Sequence, residues 1–438
     1  MDNRVAGGAT GFAPTQQAEG RHAAGNPTRE IVAAAIGNAL EWFDFVTYGY
    51  FATVIAKLFF PTAGQLGSLL LATATFGVGF VVRPLGSLVL GLYGDRAGRK
   101  NALALTIWLM MAGTAIIAFA PPYAQSGWLG ATMLVVARLV QGFAASGEYG
   151  SAVAFLAEKA PASRRNFYVS LQMSTTMLAI VLGGAVGTGL TQLLTQSQME
   201  SWGWRVPFLM GLLIGPVGFY VRKHVTETES FARAERLPVG AVLSRLFRAE
   251  LSGMLTAIGI TIVGTVAFYL NLIYMPTFAV RELGLPLSAP FMSTAVAGLV
   301  MAACAPAAGL LSDLLWRPVW IFAAACAAMA LLTYPLYAWL IASPTLANLL
   351  VMQAIVAVPM GVISGLVPAV VSQIFPPETR STGLSISYNI PTTVFGGFSP
   401  VIVTYLIAST GNKAAPALYI VIAAVISLVA AAGLRRAR

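Results

Sequence analysis

The stretch Gly91-Leu-Tyr-Gly94-Asp95-Arg96-Ala-Gly98-Arg99-Lys100 is a short charged turn set between long apolar runs. An imperfect copy, Gly309-Leu-Leu-Ser312-Asp313-Leu-Leu-Trp316-Arg317-Pro318, stands in the second half of the chain. A second pair, Pro161-Ala-Ser-Arg164 and Pro377-Glu-Thr-Arg380, is separated by nearly the same interval. Two independent echoes at one spacing predict two related halves, repeated in parallel around a central cavity.

Composition places those halves in a membrane. Only 10% of residues are charged, 57% are hydrophobic and the mean hydropathy is +0.77. Soluble domains carry about 25% charged residues. The +10 net charge comes from arginines and lysines scattered over short hydrophilic segments, with no basic patch interleaved with aromatics, so nucleic acid is not the expected partner. Cys304 and Cys326 lie within apolar runs at a spacing that fits no metal site, and they read as small packing residues. His22 and His224 lie outside the apolar runs, so neither serves a proton relay within the membrane. No nucleophile–base pair or metal-ligand cluster points to an enzyme, and no cofactor is implied.

About 20 apolar residues span a bilayer as a helix. Twelve runs qualify, at about 31–56, 67–92, 101–120, 129–157, 167–194, 206–222, 252–277, 288–311, 319–341, 346–374, 384–408 and 415–434. With the N-terminus inside, only Lys57, Arg205, Arg281 and Lys413 of the 26 lysines and arginines fall in outer loops. Arg83 and Arg138 fall within spans, and the rest lie on the cytoplasmic side. That asymmetry predicts twelve transmembrane helices with both termini cytoplasmic, because a missed span would reverse every later loop. The predicted organisation is a disordered arm at 1–28, a six-helix half at 29–222, a linker at 223–250 and a second six-helix half at 251–438. Glu41 and Asp44 in the first apolar run argue against a cleaved signal peptide. The linker's Phe231, Val242, Leu243 and Leu246 allow a surface helix along the membrane. Trp128, Trp202, Trp204, Trp339 and Tyr123 fall near span ends and are expected to be interfacial anchors.

Charge inside a span costs at least about 2.5–3.5 kcal/mol per group, so it needs a partner or a wet cavity. Glu41, Asp44, Arg83, Arg138 and Glu148 carry such charge, all in the first half. Asn38, Glu41, Phe45 and Tyr48 share a helix face that cannot meet lipid. By depth, Asp44 and Arg138 are expected to touch. A carboxylate in a dry pocket, or beside an arginine it loses when the site opens, can exchange protons near neutral pH. The competing reading is a static ion-pair network, which suits Glu148 best because Gly142, Gly147 and Gly150 surround it. In the second half Tyr269, Asn271, Tyr274, Tyr388 and Asn389 offer polar groups. Tyr48, Tyr269 and Tyr274 fit either cavity lining or core packing. The 91–100 turn lacks the Lys-Ser/Thr ending of a phosphate loop. A gate is the better reading: Asp95 accepts from a helix N-terminus or pairs with an arginine, and Glu158 is the candidate partner of Arg99.

Gly91-x-x-x-Asp95-Arg96-x-Gly98-Arg99-Lys100 resembles the loop-2/3 signature of the major facilitator superfamily. Arg138-x-x-Gln141-Gly142 is similar to its span-four motif, in which the arginine is linked to proton coupling. Gly37-Asn38-x-x-Glu41-Trp42-Phe43-Asp44-Phe45, Phe80-Val-Val-Arg83-Pro84-Leu-Gly86, Gly147-Glu148-Tyr149-Gly150 and Trp202-Gly203-Trp204-Arg205-Val-Pro207-Phe208 narrow the resemblance to its metabolite:proton symporters. It runs from about residue 30 to the C-terminus. Such proteins import carboxylates such as citrate, or osmolytes such as proline and betaine. Phe395-Gly396-Gly397-Phe-Ser-Pro400 and Thr410-Gly411 are similar to the citrate and tricarballylate branch.

The resemblance implies an all-α major facilitator fold and a proton-coupled importer of a small organic acid, acting as a monomer in a bacterial inner membrane. Its partners are a small carboxylate, protons and surrounding lipid. Asp44, Glu41, Arg138 and Glu148 are the proton-coupling candidates. Arg83, Asn38, Tyr48, Gln141, Tyr269, Tyr274 and Asn389 are the substrate candidates, and Asp95, Arg96, Arg99, Glu158 and Asp313 the gating ones. Leu314 stands where the family usually has arginine, so the second copy is expected to be the weaker latch. An osmolyte importer, a non-transporting membrane sensor and an exporting antiporter are the competing functions.

Overall fold

The computed structural model describes residues 42–97, 99–147, 156, 160–212, 239–315, 317–376 and 379–436. Among them the chain is helical throughout, with no strand. Helix α1 covers 42–59, with a one-residue turn at Phe51. Helix α2 joins Gly64–Val81 to Arg83–Ala97. Then come α3 (Arg99–Phe119), α4 (Trp128–Ala144), α5 (Arg165–Leu193) and α6 (206–212). Helix α7 joins Leu251–Phe268, a π-helical turn Tyr269–Ile273 and Met275–Arg281. Helices α8 (Ser288–Leu315), α9 (Pro318–Ala342) and α10 (Leu346–Ser372) follow. Helix α11 joins Arg380–Pro391, a π-helical turn Thr392–Gly397 and Ser399–Thr410, and α12 is Ala415–Arg436. Each of the twelve expected runs meets one of these helices. Among the described residues, eight stretches are long and apolar enough to cross a bilayer, and Ala104–Phe119 and Trp128–Ala144 are shorter apolar helices. Of the expected linker, 223–238 lies outside the described residues. The remainder forms the Val239–Arg248 helix, with Leu246 buried and Phe247 exposed.

Small residues set how closely the helices approach, since lipid offers little hydrophobic drive between them. A Cβ on Gly142 of α4 would drive into the carbonyl of Gly79 on α2, and one on Gly79 would sit 2.7 Å from the Arg138 carbonyl. The backbones of α2 and α4 therefore touch beside Arg138. Between the halves, α5 and α8 meet along their length. Gly187 and Gly184 lie against Phe291, Gly298 against Met177 and Ile180, and Gly309 against Asn166. Ser174 Oγ adds a hydrogen bond to the Ala302 carbonyl at 3.0 Å.

Helix breaks supply further contacts between the halves. Pro84 has no N–H to give Phe80, four residues before it. That carbonyl accepts instead from the Val82 N–H and from Thr393 Oγ1 of α11, the latter at 3.1 Å. Gly77 approaches Gly397 and Phe398 beside it. In α7 the π-turn is held from the side. Gln353 Nε2 donates to the Asn271 carbonyl at 2.6 Å, and Tyr337 OH donates to Asn271 Oδ1 at 3.0 Å.

At the arginine-rich end of the bundle, Asp313 accepts from the N–H groups of Asn166 (3.1 Å) and Phe167 (2.9 Å), at the start of α5. A carboxylate at a helix N-terminus satisfies amides that have no partner within the helix. At the other end, Arg205 donates to the carbonyls of Ala118 and Ala120 at 3.0 Å each, closing the C-terminus of α3. Lys57 Nζ lies 2.6 Å from both Glu200 oxygens, which holds that carboxyl below its usual range. Trp204 departs from the expected interfacial role. It is fully buried, 5.5 Å from the Phe59 ring, because its loop folds inward over α1.

Replacing Gly142 with Ala should lower the melting temperature of the detergent-solubilised protein, at a cost of about 1–3 kcal/mol from overpacking. Thr393→Val should cost about 1 kcal/mol by removing one of the two hydrogen bonds to the Phe80 carbonyl, while Thr393→Ser keeps the donor and the stability. An unchanged melting temperature in Thr393→Val would remove the hydroxyl's role.

Candidate functional site

Among the described residues, Asp44, Arg83 and Arg138 converge where α1, α2, α3 and α4 meet. Asp44 is 6% exposed, Arg83 4%, and Arg138 and Gln141 are fully buried. Arg138 and Gln141 are three residues apart on α4, so their side chains rise on one face. Arg138 Nη1 donates to Gln141 Oε1 at 2.9 Å. The amide nitrogen of Gln141 donates to Thr114 Oγ1 at 3.1 Å and reaches Asp44 Oδ2 at 3.4 Å. The expected direct contact between Asp44 and Arg138 is therefore replaced by a bridge. The Gln141 amide, donor at one end and acceptor at the other, fills the gap between carboxylate and guanidinium. Gly211 of α6 closes over Asp44, where a Cβ would strike Oδ1.

Aromatic faces replace water around the cations. The Arg138 guanidinium carbon lies 4.1 Å from the Phe45 ring centre and 4.9 Å from those of Tyr48 and Phe76. That of Arg83 lies 4.4 Å from Phe80 and 5.2 Å from Phe45. Phe45 thus stands between two cations. Each desolvated cation–π contact contributes on the order of 2 kcal/mol, which offsets part of the burial cost. The rings pack edge to face, with Phe45–Phe80 at 5.0 Å and Phe80–Tyr269 at 5.3 Å. Tyr269 comes from the π-turn of α7, so the second half closes the same cluster.

Polar atoms remain open here. Among the described residues, Asp44 Oδ1, Arg138 Nε and Nη2, Arg83 Nε and the Tyr269 hydroxyl make no hydrogen bond. Two guanidinium groups with free N–H donors can clasp a carboxylate. The free oxygen of Asp44 can take a proton.

The structure brings Asp44, Tyr48, Arg83, Arg138, Gln141 and Tyr269 together. It turns Tyr274 and Asn389 elsewhere: the Tyr274 hydroxyl accepts from Thr404 Oγ1 at 3.0 Å, and Asn389 donates to the Ser385 carbonyl of its own helix. Asn38, Glu41, Glu148 and Glu158 lie outside the described residues. Asp95, Arg96 and Arg99 lie on the helices at the α2–α3 turn, and their side chains are outside the description. Asp313 is engaged, as given above. The loss of arginine at Leu314 leaves that contact intact, because the carboxylate makes it alone. Sequence reading missed Thr114, Phe76 and Phe80. The spacing of Phe76, Phe80 and Arg83 puts them on one face of α2, a signal that was available; nothing in the sequence pairs Thr114 with Gln141.

Comparison with known proteins agrees with this architecture. The Major Facilitator Superfamily pattern matches residues 34–387. A citrate-proton symporter of Klebsiella pneumoniae is 36% identical over 410 residues, covering 93% of this chain and 91% of its own. A proline/betaine transporter of Escherichia coli strain K12 is 31% identical over 416 residues, 92% of this chain and 83% of its own. The crystal structure of a D-xylose-proton symporter superposes with a TM-score of 0.72 at 16% identity, over 91% of this chain and 97% of that one. With an all-helical bundle, related halves and a family match over most of its length, the chain belongs to the Major Facilitator Superfamily.

Proposed function

We propose that the chain is a proton-coupled importer of a citrate-like di- or tricarboxylate in a bacterial inner membrane, with both termini cytoplasmic. The observation that carries this reading is the open guanidinium pair, Arg83 and Arg138, buried among aromatic rings beside the Gln141–Asp44 bridge. The citrate-proton symporter relative supports the substrate class. A zwitterionic osmolyte is the weaker reading, although a proline/betaine transporter is also a relative. The faces of Phe45, Tyr48, Phe76 and Phe80 that would receive a quaternary ammonium group are already covered by arginine.

In this mechanism Asp44 holds the transported proton. A protonated Asp44 attracts the amide of Gln141 less strongly, which weakens the link to Arg138 and frees that guanidinium for a substrate carboxylate. Release of the proton restores the bridge and returns Arg138 to Gln141. Alternating access then requires the halves to part at one end at a time. Towards the cytoplasm the α5–α8 seam opens only when Asp313 leaves the Asn166 and Phe167 amides. Charge-assisted bonds of this kind contribute roughly 1.5–3 kcal/mol each, enough to bias the mouth shut.

Purified protein in liposomes, given an inward proton gradient, should accumulate labelled citrate or another small carboxylate and leave proline and betaine behind. Proline or betaine accumulation without carboxylate uptake would overturn the substrate class. Asp44→Asn should abolish gradient-driven accumulation while carboxylate still binds; full accumulation in that variant would end the proton-carrier role. Asp313→Asn should favour opening at the arginine-rich end, read as faster labelling of cysteines placed between α5 and α8 there. Labelling at the wild-type rate would contradict its part in the latch.

A further inference from the structure

A groove of about 710 Å³ runs between the first turns of α7 and the last turns of α12, on the outside of the bundle and away from the charged cluster. Its wall carries Leu251, Leu255, Ile426 and Val429, which are 41–67% exposed as large apolar side chains on a membrane-facing surface. Its floor is sealed by Gly259 and Ala430, where a Cβ on the glycine would come within 2.8 Å of the alanine methyl. Ser427 Oγ closes the same contact, donating to the Gly259 carbonyl at 2.6 Å and accepting from Val263 N–H at 3.0 Å. Thr256 is the one polar side chain along this wall, and its hydroxyl donates to the Ser252 carbonyl at 2.9 Å, so the wall suits a hydrocarbon chain better than water.

The mouth of the groove is different. Arg248 and Ser252 line it, and both are exposed. Among the described residues no carboxylate pairs with Arg248, whereas its neighbour Arg245 is held by Glu250 at 3.1 Å. Glu250 occupies the cap position of α7 without capping it, because its other oxygen accepts from Thr379 Oγ1 at 2.7 Å. The Glu250 side chain therefore leaves the first amides of α7 uncapped, beside an arginine that no described carboxylate pairs. That combination binds phosphate groups. The Val239–Arg248 helix leads into this point with Phe247 exposed, and Arg435 and Arg436 end α12 on the same side.

We infer that this groove is a binding site for one anionic phospholipid of the leaflet at the arginine-rich end. Its phosphate sits on Arg248, Ser252 and the α7 N-terminus, and one acyl chain lies along α7 and α12. The apolar wall selects a lipid over free phosphate, and the charge of Arg248 selects an anionic headgroup over a zwitterionic one. The site is independent of the carboxylate site, and it steadies the half of α7 that leads to Tyr269.

The test is native mass spectrometry of the full chain titrated with palmitoyl-oleoyl phosphatidylglycerol. Phosphatidylcholine with the same chains, and inorganic phosphate, serve as contrasts. The first phosphatidylglycerol should bind about tenfold or more tightly than phosphatidylcholine, and R248E should erase that preference. R248K should keep most of it. Thr256→Trp, which fills the groove without touching charge, should weaken both lipids. If that variant does not fold, Leu255→Trp takes its place. Equal affinity for the two lipids, a wild-type preference in R248E, unchanged lipid binding in the groove-filling variant, or displacement of lipid by inorganic phosphate would each overturn the assignment.

Discussion

Burying the guanidinium of Arg138 is the constraint around which the first half is arranged. A permanent charge in the middle of a membrane helix is stable only with polar partners or aromatic faces around it. Both are supplied. Gln141, one turn along α4, takes one N–H, and Phe45, Tyr48 and Phe76 surround the rest. Those rings reach Arg138 because α2 and α4 touch at Gly79 and Gly142. Packing, electrostatics and site geometry are therefore one arrangement, and a methyl group at Gly142 disturbs all three.

Helix irregularities join that cluster to the second half. Pro84 opens α2 one residue after Arg83, and the freed Phe80 carbonyl binds Thr393 in the π-turn of α11. The π-turn of α7 brings Tyr269 against Phe80, and Gln353 and Tyr337 hold that turn from outside. Both π-turns thus face the aromatic cage at the depth of the arginines. Irregular backbone at membrane depth is stable where protein groups complete its hydrogen bonds.

The twelve helices were legible in the sequence because apolar run length and the side of the arginines are strong, independent signals. The nearness of Asp44 to Arg138 was legible from depth, whereas depth set Arg83 nearer the cytoplasmic side, and only the structure shows it sharing the Phe45 ring with Arg138. The Gln141 bridge was not legible. A direct Asp44–Arg138 contact follows from depth alone, and only side-chain reach decides that an amide fits between them. Trp204 misled for a related reason, since proximity to a span end does not reveal that its loop folds over Phe59. The second copy of the charged turn looked weakened by Leu314, yet Asp313 needs no neighbour to hold two amides of α5.

The central claim is that Asp44 takes up and releases a proton next to Gln141 and Arg138. Infrared difference spectroscopy of the protein in lipid, recorded across a pH titration, reads that event directly. The account predicts a protonated-carboxyl C=O band that titrates, shifts when citrate is added and is missing from the Asp44→Asn protein. A titrating band that is identical in wild type and Asp44→Asn would contradict it.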